Sequence, residues 1–394
     1  MQTLAYLCLK LPRNVEVSEE ASKTFLSALK DINYVSPILK LFGKKPPALS
    51  LEIILSDGQI RFFSICDETI APFIETQIKA SYPLCVIEKL KQDPLENFPN
   101  INMVSIQLTK GNFYPISTYD SFKETDPMTN MLSVLSKASG QEKVAIQIAL
   151  ESINDSWQQQ FEKYAEQGEK RQDGTYSPRP DASVILEKTK EPGFGVAIRF
   201  AAQKKETLTS LISAMGVYTR AGGNALRGSY PNFFTRKRTL KSFLGRRVTG
   251  GMILNIKEIA SIWHLPSEKV KVPGIEWGKN VLSDPPENLP VAYAMTEEEK
   301  KTVNFFAKIH FRNTEAIFGI KERDRLRHIW ALGKTGTGKS TMLENMAIDD
   351  FRKDRGVAFI DPHGAIHASI CLNLFPNTAS TKLFTSILPT VNTQ

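Results

Sequence analysis

The octapeptide GKTGTGKS, Gly333 to Ser340, is the part of this sequence whose residue types and spacing could do chemistry. It matches G-x-x-x-x-G-K-[ST], the pattern of a loop that holds phosphate groups. Glycines at 333, 336 and 338 allow a tight turn that aims successive backbone N–H groups at an anion. A helix that begins near Gly338 adds its positive dipole end. We therefore expect a nucleoside triphosphate to bind here.

The side chains of this loop divide the work of holding the triphosphate. Lys339 supplies a cation for the β- and γ-phosphates, and the Ser340 hydroxyl is placed to ligate magnesium. Thr341 is expected to face the base or the α-phosphate. The remaining loop residues, Lys334, Thr335 and Thr337, complete the backbone cradle. The sequence thus predicts ATP and Mg²⁺ as cofactors.

The loop must be positioned by a strand before it and a helix after it. The apolar residues of 328–332 predict a short strand, and the apolar positions 342, 343, 346, 347 and 351 predict one stripe of a helix. The next strand is expected in GVAFIDPHG, residues 356–364, where Asp361 either contributes to the magnesium or γ-phosphate site or caps the strand. Residues 362–394 contain no Asp or Glu, so we expect this chain to bind nucleotide without hydrolysing it.

The first half of the chain alternates strand-like and helix-like segments. Strand, helix, hairpin and helix patterns follow one another at 4–12, 19–32, 50–66 and 68–82, an order that predicts a ferredoxin-like α+β unit. A second set follows at 102–108, 128–139, 142–153, 156–167, 193–203 and 205–218. The repetition predicts two related α+β subunits.

The predicted fold class is α/β, with ferredoxin-like subunits followed by the first part of a RecA-like P-loop domain with a parallel sheet. The expected boundaries are an N-terminal α+β domain at 1–167, a second α+β subdomain with a basic stretch at 182–263, a proline-rich connector at 264–290, and an incomplete P-loop ATPase domain at 291–394. Residues 168–181 have the composition of an exposed linker.

Composition and cysteine spacing exclude several classes of protein. With 41% hydrophobic and 23% charged residues, the 394-residue chain has the balance of a globular protein. The four cysteines are scattered and form no CxxC pair, so buried free thiols are expected rather than disulfides or a zinc site. No window is long and apolar enough to cross a membrane, and we expect a cytoplasmic location.

The net charge of +8 is concentrated in one stretch. Residues 219–247 carry eight Lys or Arg and no Asp or Glu, and aromatics are interleaved with the cations in SYPNFFTRKRTLKSFLGRR. Arg236, Lys237, Arg238 and Lys241 are therefore candidates for nucleic-acid contact. Docking on a partner or on anionic lipid, or a plain solvated helix face, explains the stretch equally well. For Trp263 and His264, core packing and a helix C-terminus are sufficient explanations.

The nucleotide motif and its flanks resemble a known group of motors. FGIKERDRLRHIWALGKTGTGKSTMLENM followed by GVAFIDPHG is similar to the HerA/FtsK superfamily, in particular to the DUF87-type ATPases of conjugation and type IV secretion. Upstream, LNIKEIASIWHLPSEKVKVPGIEW, PPENLP, EPGFGVAIRFAA and LAYLCLKLPRN resemble the N-terminal domain and linker of those ATPases.

The resemblance implies a ring, usually a hexamer, that couples ATP hydrolysis to movement of DNA or of a secreted nucleoprotein. It also implies secretion-channel partners and peripheral association with the inner face of the cell membrane. The loop residues from Gly333 to Thr341 carry over as the nucleotide cradle. The family's Walker B acid, catalytic Glu, sensor and arginine finger have no counterpart here, so we expect a C-terminal truncation of a longer protein.

Three functions stay open at this point. The chain could belong to a DNA translocase or coupling protein, or to a secretion or pilus-assembly ATPase that does not act on DNA. A third possibility is a non-hydrolysing scaffold module, in which nucleotide stabilises an assembly.

Overall fold

The computed structural model describes residues 3–13, 15, 19–96, 98, 101–122, 125–138, 141–168, 176–278, 286, 288–311, 314–333 and 336–358. The chain divides into two compact units, Met1–Val281 and Leu282–Gln394, here called unit 1 and unit 2.

Unit 1 contains nine strands and unit 2 contains two among the described residues. The strands are β1 Leu4–Lys10, β2 Leu49–Ser56, β3 Gln59–Asp67, β4 Val86–Leu90, β5 Asn102–Leu108, β6 Val144–Ser152, β7 Gly193–Ala202, β8 Leu226–Ser229, β9 Met252–Asn255, β10 Val303–Phe311 and β11 Thr314–Lys321. The helices are α1 Glu19–Ala28, α2 Pro37–Leu41, α3 Ala71–Ser81, α4 Thr129–Lys137, α5 Ser156–Glu166, α6 Ala182–Thr189, α7 Lys205–Ala214, α8 Phe233–Leu244, α9 Ile256–Ile262, α10 Glu297–Lys301, α11 Glu322–Arg325 and α12 Lys339–Arg352.

The strands of unit 1 form one sheet that repeats a pattern. The first half has the strand order β4-β1-β3-β2, and the second half has the matching order β8-β5-β7-β6. Strands β2 and β6 pair antiparallel and join the two halves. The ninth strand, β9, pairs with the first residues of β7, next to the residues that pair with β5. The described strand ladders of this sheet are all antiparallel. The first half follows the expected strand–helix–strand–strand–helix–strand order, with the short helix α2 added before β2, whereas helices α5 and α6 separate β6 from β7 in the second half.

The tight turn between β2 and β3 follows from two residues. Asp57 and Gly58 have φ angles of 53° and 71°, and positive φ at both central positions suits a two-residue hairpin whose twist matches its strands. An Asp-Gly pair is typical of such a turn, and this one lies within the hairpin predicted at 50–66. The two strands, Leu49–Ser56 and Gln59–Asp67, extend the hairpin predicted at 50–66 by one residue at each end.

One face of the sheet, the helix face, carries Leu51, Ile53, Ile146, Ile148 and Ile198. These side chains are buried in one core with residues of α1, α3, α4, α7 and α9. Strand β2 is buried along its whole length, and its first residues, LSLEI, alternate apolar side chains on the helix face with polar side chains on the other face. The mixed α/β content of the prediction is confirmed, and the sheet is antiparallel in its ladders.

The other face, the α8 face, carries a row of buried polar side chains. Glu52, Gln147 and Arg199 are register partners on β2, β6 and β7. Gln147 Nε2 donates to Glu52 Oε1 at 2.9 Å, and Arg199 Nη1 donates to Gln147 Oε1 at 3.0 Å. The end of α8 closes over this row, because Gln147 also donates to the carbonyl of buried Phe243. Burial lowers the pKa of the Arg199 guanidinium to about 10.

Residues 264–278, in the first part of the expected connector, pack onto unit 1. Val270, Val272 and Ile275 are buried in the core of the helix face. The N–H of Ile60 donates to the Gly274 carbonyl at 2.7 Å. This segment therefore adds to the core of unit 1, while residues 279–285 and 287 lie outside the described part of the chain.

Unit 2 differs from the expectation for a RecA-like domain. Its described strands, β10 and β11, form an antiparallel hairpin with a register shift between Phe305 and Ala307. The expected parallel sheet is not found among the described residues of this unit. Of the strand predicted at 356–364, residues 356–358 are described and are not in a strand, and the rest lies outside the described residues.

The cysteine and membrane predictions can be compared with the described residues. Cys8, Cys66 and Cys85 are buried free thiols, as expected, and burial raises the pKa of each to about 12. Cys371 lies outside the described residues. None of the described helices has the length and apolar character needed to cross a bilayer.

Candidate phosphate-binding site

The loop before α12 adopts the backbone that its glycines permit. Gly336 and Gly338 have φ angles of 80° and 89°, in the region where residues with a Cβ are strained. Nothing lies within 4 Å of a Cβ built at either position, so the requirement for glycine comes from the backbone and not from crowding. The loop turns sharply here and α12 begins at Lys339.

The start of α12 is open to an anion. Its N-cap is Gly338, and no side chain caps it. The first N–H groups of a helix have no partner within that helix and carry its positive dipole end. Such a start, after a turn through two left-handed glycines, suits a phosphate group that accepts hydrogen bonds from the backbone.

Lys339 is positioned at the mouth of this loop. Its Nζ donates to the Gly333 carbonyl at 2.7 Å, so the side chain folds back across the turn. A Cβ on Gly333 would come within 2.5 Å of Thr337 Oγ1, so a larger residue at 333 would require the Thr337 side chain to move. The ammonium group can move from one carbonyl to a phosphate oxygen without a change in the backbone.

The remaining predicted site residues are divided between described and undescribed parts of the chain. Ser340 and Thr341, in the first turn of α12, are exposed. Lys334, Thr335 and Asp361 lie outside the described residues. The amides, the ammonium and the Ser340 hydroxyl fit a triphosphate with magnesium: Lys339 and the amides would hold the phosphates, and Ser340 would ligate the ion, which would neutralise phosphate charge.

The strand predicted at His328–Leu332 is wrong for this structure. Residues 326–333 form a turn and an irregular segment, and the side chains of Ile329, Trp330 and Leu332 are exposed. A strand needs a neighbour to receive its hydrogen bonds, and no described strand pairs with this segment. The apolar run predicted a buried strand, but these side chains are exposed and no described strand lies beside them.

A buried polar cluster fixes the other end of α12. Asp350, which is 5% exposed, accepts hydrogen bonds from Arg325 Nη1 and Nη2 at 2.7 and 2.6 Å. Asn304 Nδ2 donates both to Asp350 Oδ1 and to the Met346 carbonyl, each at 2.8 Å. Burial alone would raise the pKa of Asp350, but Arg325 and Asn304 outweigh it and lower that pKa. The cluster joins α12 to β10 and to the short helix α11.

Sequence reasoning missed this cluster, although one signal was available. An acidic residue near the C-terminus of a helix faces the negative dipole end and is unfavourable there. Asp349 and Asp350 lie in the last turn of the predicted helix, so a cation near each of them could have been predicted. In the structure, Lys353 forms an ion pair with Asp349 at 2.6 Å, and Arg325 forms one with Asp350. The predicted apolar stripe of α12 is present in part, since Met346 and Ala347 are buried and Leu343 is exposed.

The basic stretch of 219–247 separates into exposed and buried cations. Arg236, Lys237, Arg238 and Lys241 are all exposed on α8. Arg246 is instead fully buried and pairs with two carboxylates: its Nη2 donates to Asp93 Oδ1 at 2.6 Å and its Nε to Glu52 Oε1 at 3.2 Å.

Three further cations of the stretch have separate roles. Arg247 donates to the Pro46 carbonyl, and Arg220 pairs with Glu187 at 2.6 Å. Arg227 is exposed on β8. The charge excess of the sequence is thus only partly a surface property.

Trp263 and His264 have the structural roles that were expected. The Trp263 ring is fully buried and meets Phe62 edge to face, with ring centroids 6.4 Å apart. His264 Nδ1 lies 2.9 Å from the Ala260 carbonyl, and its Nε2 lies 2.9 Å from Asp126 Oδ2. Glu19 is near enough to complete a set of three metal-type ligands. Both ring nitrogens of His264 are already engaged, so this group is an ion pair rather than a metal site.

Fold and site together define a class of protein. A mixed α/β unit with one nine-stranded sheet is followed by a unit in which a glycine-rich loop leads into helix α12. Residues 9–278 match the model of the family described as a domain of unknown function, DUF8128, and the chain belongs to that family. The match covers most of unit 1 and does not include the loop of unit 2. No curated protein matches the sequence at a significant level.

Proposed function

We propose that this chain is the ATP- and magnesium-binding part of a motor subunit related to the HerA/FtsK superfamily. The full-length protein would couple ATP hydrolysis to movement of DNA or nucleoprotein during conjugation or type IV secretion. The observation that carries the proposal is the uncapped start of α12 behind two left-handed glycines, with Lys339 folded across the loop.

The proposal includes structural features beyond those described above. Unit 1 would consist of two ferredoxin-like subunits, in keeping with the repeated strand order of its sheet. Unit 2 would form the beginning of a RecA-like domain in a ring, usually a hexamer, of the same chain. Its partners would be secretion-channel components, and it would work in the cytoplasm at the inner face of the cell membrane.

Nucleotide binding is the first point to test. Titration calorimetry of the 394-residue chain with Mg-ATP should show uptake. Lys339→Ala should weaken it by roughly 10- to 100-fold, the range expected for loss of a charge-assisted hydrogen bond. Ser340→Ala should reduce chiefly the part of the affinity that depends on magnesium.

A matched control is available in the same unit. Lys301 is exposed at the end of α10, and Lys301→Ala should leave the affinity unchanged. Absence of Mg-ATP uptake by the parent chain, or equal affinity of the parent and Lys339→Ala, would refute the proposal.

The kind of motor needs a second experiment. DNA-stimulated ATP hydrolysis by the full-length protein supports the translocase, whereas hydrolysis that DNA does not change supports an assembly ATPase. Nucleotide binding without turnover in the full-length protein supports the scaffold. For the 394-residue chain itself we expect binding without turnover, and ATPase activity that Lys339→Ala abolishes would contradict that expectation.

A further inference from the structure

Helix α8 presents a face that combines bare aromatic rings with positive charge. The side chains of Phe233 and Phe234 are 90% and 87% exposed, and their rings meet edge to face at 5.7 Å. Phe234, Lys237, Arg238 and Lys241 are spaced i, i+3, i+4 and i+7, so they share one side of the helix. An apolar tip surrounded by cations is thus held away from the body of the unit.

The short helix α2 repeats this combination elsewhere in unit 1. Ile38, Leu41 and Phe42 are 69%, 86% and 82% exposed. Lys44 and Lys45 follow directly and are also exposed. Residues 32–51 contain no Asp or Glu, and neither do residues 219–247. Several large apolar side chains exposed together, beside positive charge, mark an interaction surface in a way that single exposed apolar residues do not.

Both segments lie on the α8 face of the sheet. Lys40 of α2 pairs with Glu151 at 2.5 Å, and Glu151 is four residues from Gln147 on β6, so both point to this face. Immediately after α8, Arg247 donates to the carbonyl of Pro46, a few residues beyond α2. The two apolar and basic segments therefore lie on one side of unit 1, opposite the helix face.

We propose that this side of unit 1 docks on an anionic lipid bilayer. The apolar tips, Leu41-Phe42 and Phe233-Phe234, would enter the boundary between headgroups and acyl chains. The exposed lysines and arginines beside them would meet the lipid phosphates. Binding of this kind grows with buried apolar area and with attraction to anionic headgroups, and it needs no membrane-spanning helix.

The mixture of apolar side chains favours a bilayer over nucleic acid as the occupant. Phenylalanine rings could stack on bases, and the cations could neutralise a phosphate backbone. Exposed Ile38 and Leu41 have no aromatic face and no polar group, so nucleic-acid binding would leave both in water. In a bilayer, the hydrocarbon can take up all of the exposed apolar side chains, and the lipid phosphates can pair with the exposed cations.

The test is co-sedimentation of the whole chain with vesicles. Vesicles of phosphatidylglycerol and phosphatidylcholine in equal parts should bind the protein, and vesicles of phosphatidylcholine alone should bind it weakly. Added salt should weaken the binding to the anionic vesicles. A titration with a single-stranded oligonucleotide, followed by fluorescence anisotropy, is run on the same samples.

Three variants separate the apolar contribution from the charge. Replacing Phe233 and Phe234 together by Ser, or Leu41 and Phe42 together by Ser, should each lower the fraction bound to anionic vesicles by roughly tenfold. Changing the four exposed cations of α8 to Ala should lower it by at least tenfold, since each cation near the surface is worth about fivefold in partition. All of these side chains are exposed, so circular dichroism should show an unchanged fold.

Matched controls change the same chemistry elsewhere. Tyr293→Ser with Leu326→Ser removes two exposed apolar side chains from unit 2. A second control replaces four exposed lysines on other helices of unit 1, Lys79, Lys137, Lys163 and Lys205, by Ala. Both should bind vesicles like the parent chain.

Several outcomes would overturn the docking surface. One is that the parent and the three variants bind anionic vesicles equally. Another is that the control variants lose as much vesicle binding as the three variants do. Loss of oligonucleotide binding in the four-alanine variant, with vesicle binding unchanged, would assign the face to nucleic acid instead. Lys339→Ala should bind vesicles normally, so failure of the nucleotide proposal and failure of this one can be told apart.

Discussion

Helices α8 and α12 are built alike at one end and differently at the other. Each is fixed near its C-terminus by a buried arginine–carboxylate contact, between Arg246 and Glu52 in α8 and between Arg325 and Asp350 in α12. At the N-terminus of α8, Asn232 accepts a hydrogen bond from the Thr235 N–H at 2.9 Å. At the N-terminus of α12, Gly338 has no side chain to offer.

The difference determines what each helix can bind. The cap on α8 satisfies one backbone donor at the helix start, and the side chains that this helix exposes include aromatic rings and cations. The open start of α12 leaves backbone donors for a ligand, as a phosphate site requires. Anchoring the far end of each helix keeps the presenting end in a fixed place. We call these two arginine–carboxylate contacts the anchors of α8 and α12.

The largest effect is expected at Arg246. It has a φ angle of 51°, in the left-handed region where a residue with a side chain is strained, at the position after the Gly245 C-cap. Its contacts with Glu52 and Asp93 must outweigh that strain. Arg246→Ala leaves the fully buried Glu52 without a cation in direct contact, and the free energy of unfolding should fall by about 3–5 kcal/mol.

Urea unfolding followed by tryptophan fluorescence measures this loss. Trp157, Trp263 and Trp277 all belong to unit 1, so they report mainly on the unit that contains Arg246. Arg236→Ala, on the exposed side of the same helix, should change the free energy of unfolding by no more than about 0.5 kcal/mol. Equal effects of the two substitutions would mean that Arg246 is not an anchor.

The anchor of α12 should be weaker, because Arg325 is partly exposed and can return to water. Asp350→Asn replaces a two-oxygen acceptor by a single amide oxygen, and the amide nitrogen then faces the guanidinium. We expect a local loss of about 1–3 kcal/mol, seen as faster hydrogen exchange of the backbone amides of α12.

Asp349→Asn is the matched control for α12. Asp349 pairs with Lys353 one turn away and accepts from the Phe305 N–H at 3.1 Å, a bond that an amide oxygen can still accept. Its effect on exchange should stay within about 0.5 kcal/mol. Faster exchange in this variant than in Asp350→Asn would show that the outer pair, and not the buried one, holds the helix.

Much of unit 1 could be predicted from its sequence because its patterns are strong. Strands such as Asn102–Leu108 and Val144–Ser152, and helices such as Ser156–Glu166, lie within one or two residues of their expected ends. Strands β8 and β9 were missed because four residues are too few to show a period. Strand β4, Val86–Leu90, is the last strand of the predicted ferredoxin-like order, but its residues could not be assigned from the sequence because it lies at the edge of the sheet and is only partly buried.

The candidate site was predictable where chemistry fixes the residue type, and not where packing decides. Left-handed glycines and a lysine at the helix start follow from the motif. The spacing of charges could not distinguish exposed Arg236 from buried Arg246, because both belong to one basic run. The distinction depends on Glu52 and Asp93, which lie more than a hundred residues away in sequence and contact Arg246 only once the sheet has formed.

The ion pair of His264 and Asp126 is a third anchor, at the C-terminus of α9, and it alone can titrate near neutral pH. Burial would lower the pKa of the His264 imidazole, but the Asp126 carboxylate, with a smaller effect from Glu19, outweighs burial and raises it. For Asp126, burial would raise the pKa, and the imidazolium, with Lys269 also contributing, lowers it.

These directions fix how stability should change with pH. The raised pKa of His264 contributes stability that is complete below the ordinary histidine value of about 6.5 and is lost as pH rises through the folded value. The lowered pKa of Asp126 contributes stability that is complete above about 3.9 and is lost as pH falls through the folded value. Unit 1 should therefore be most stable between about pH 4 and 6.5 with respect to this pair.

The smallest predicted effect is the decline above that window, of order 1 kcal/mol in the free energy of unfolding for each unit by which the pKa of His264 is raised. Urea unfolding measured from about pH 6.5 to 9 should show it in the parent chain and not in His264→Gln, which cannot titrate. His328→Asn, at an exposed position with a φ angle of 68°, should keep the decline, because asparagine tolerates that backbone and His328 takes no part in the pair. An equal decline in His264→Gln would assign the pH dependence to other groups. The His264–Asp126 pair would then not differ from the anchors of α8 and α12 in its response to pH near neutrality.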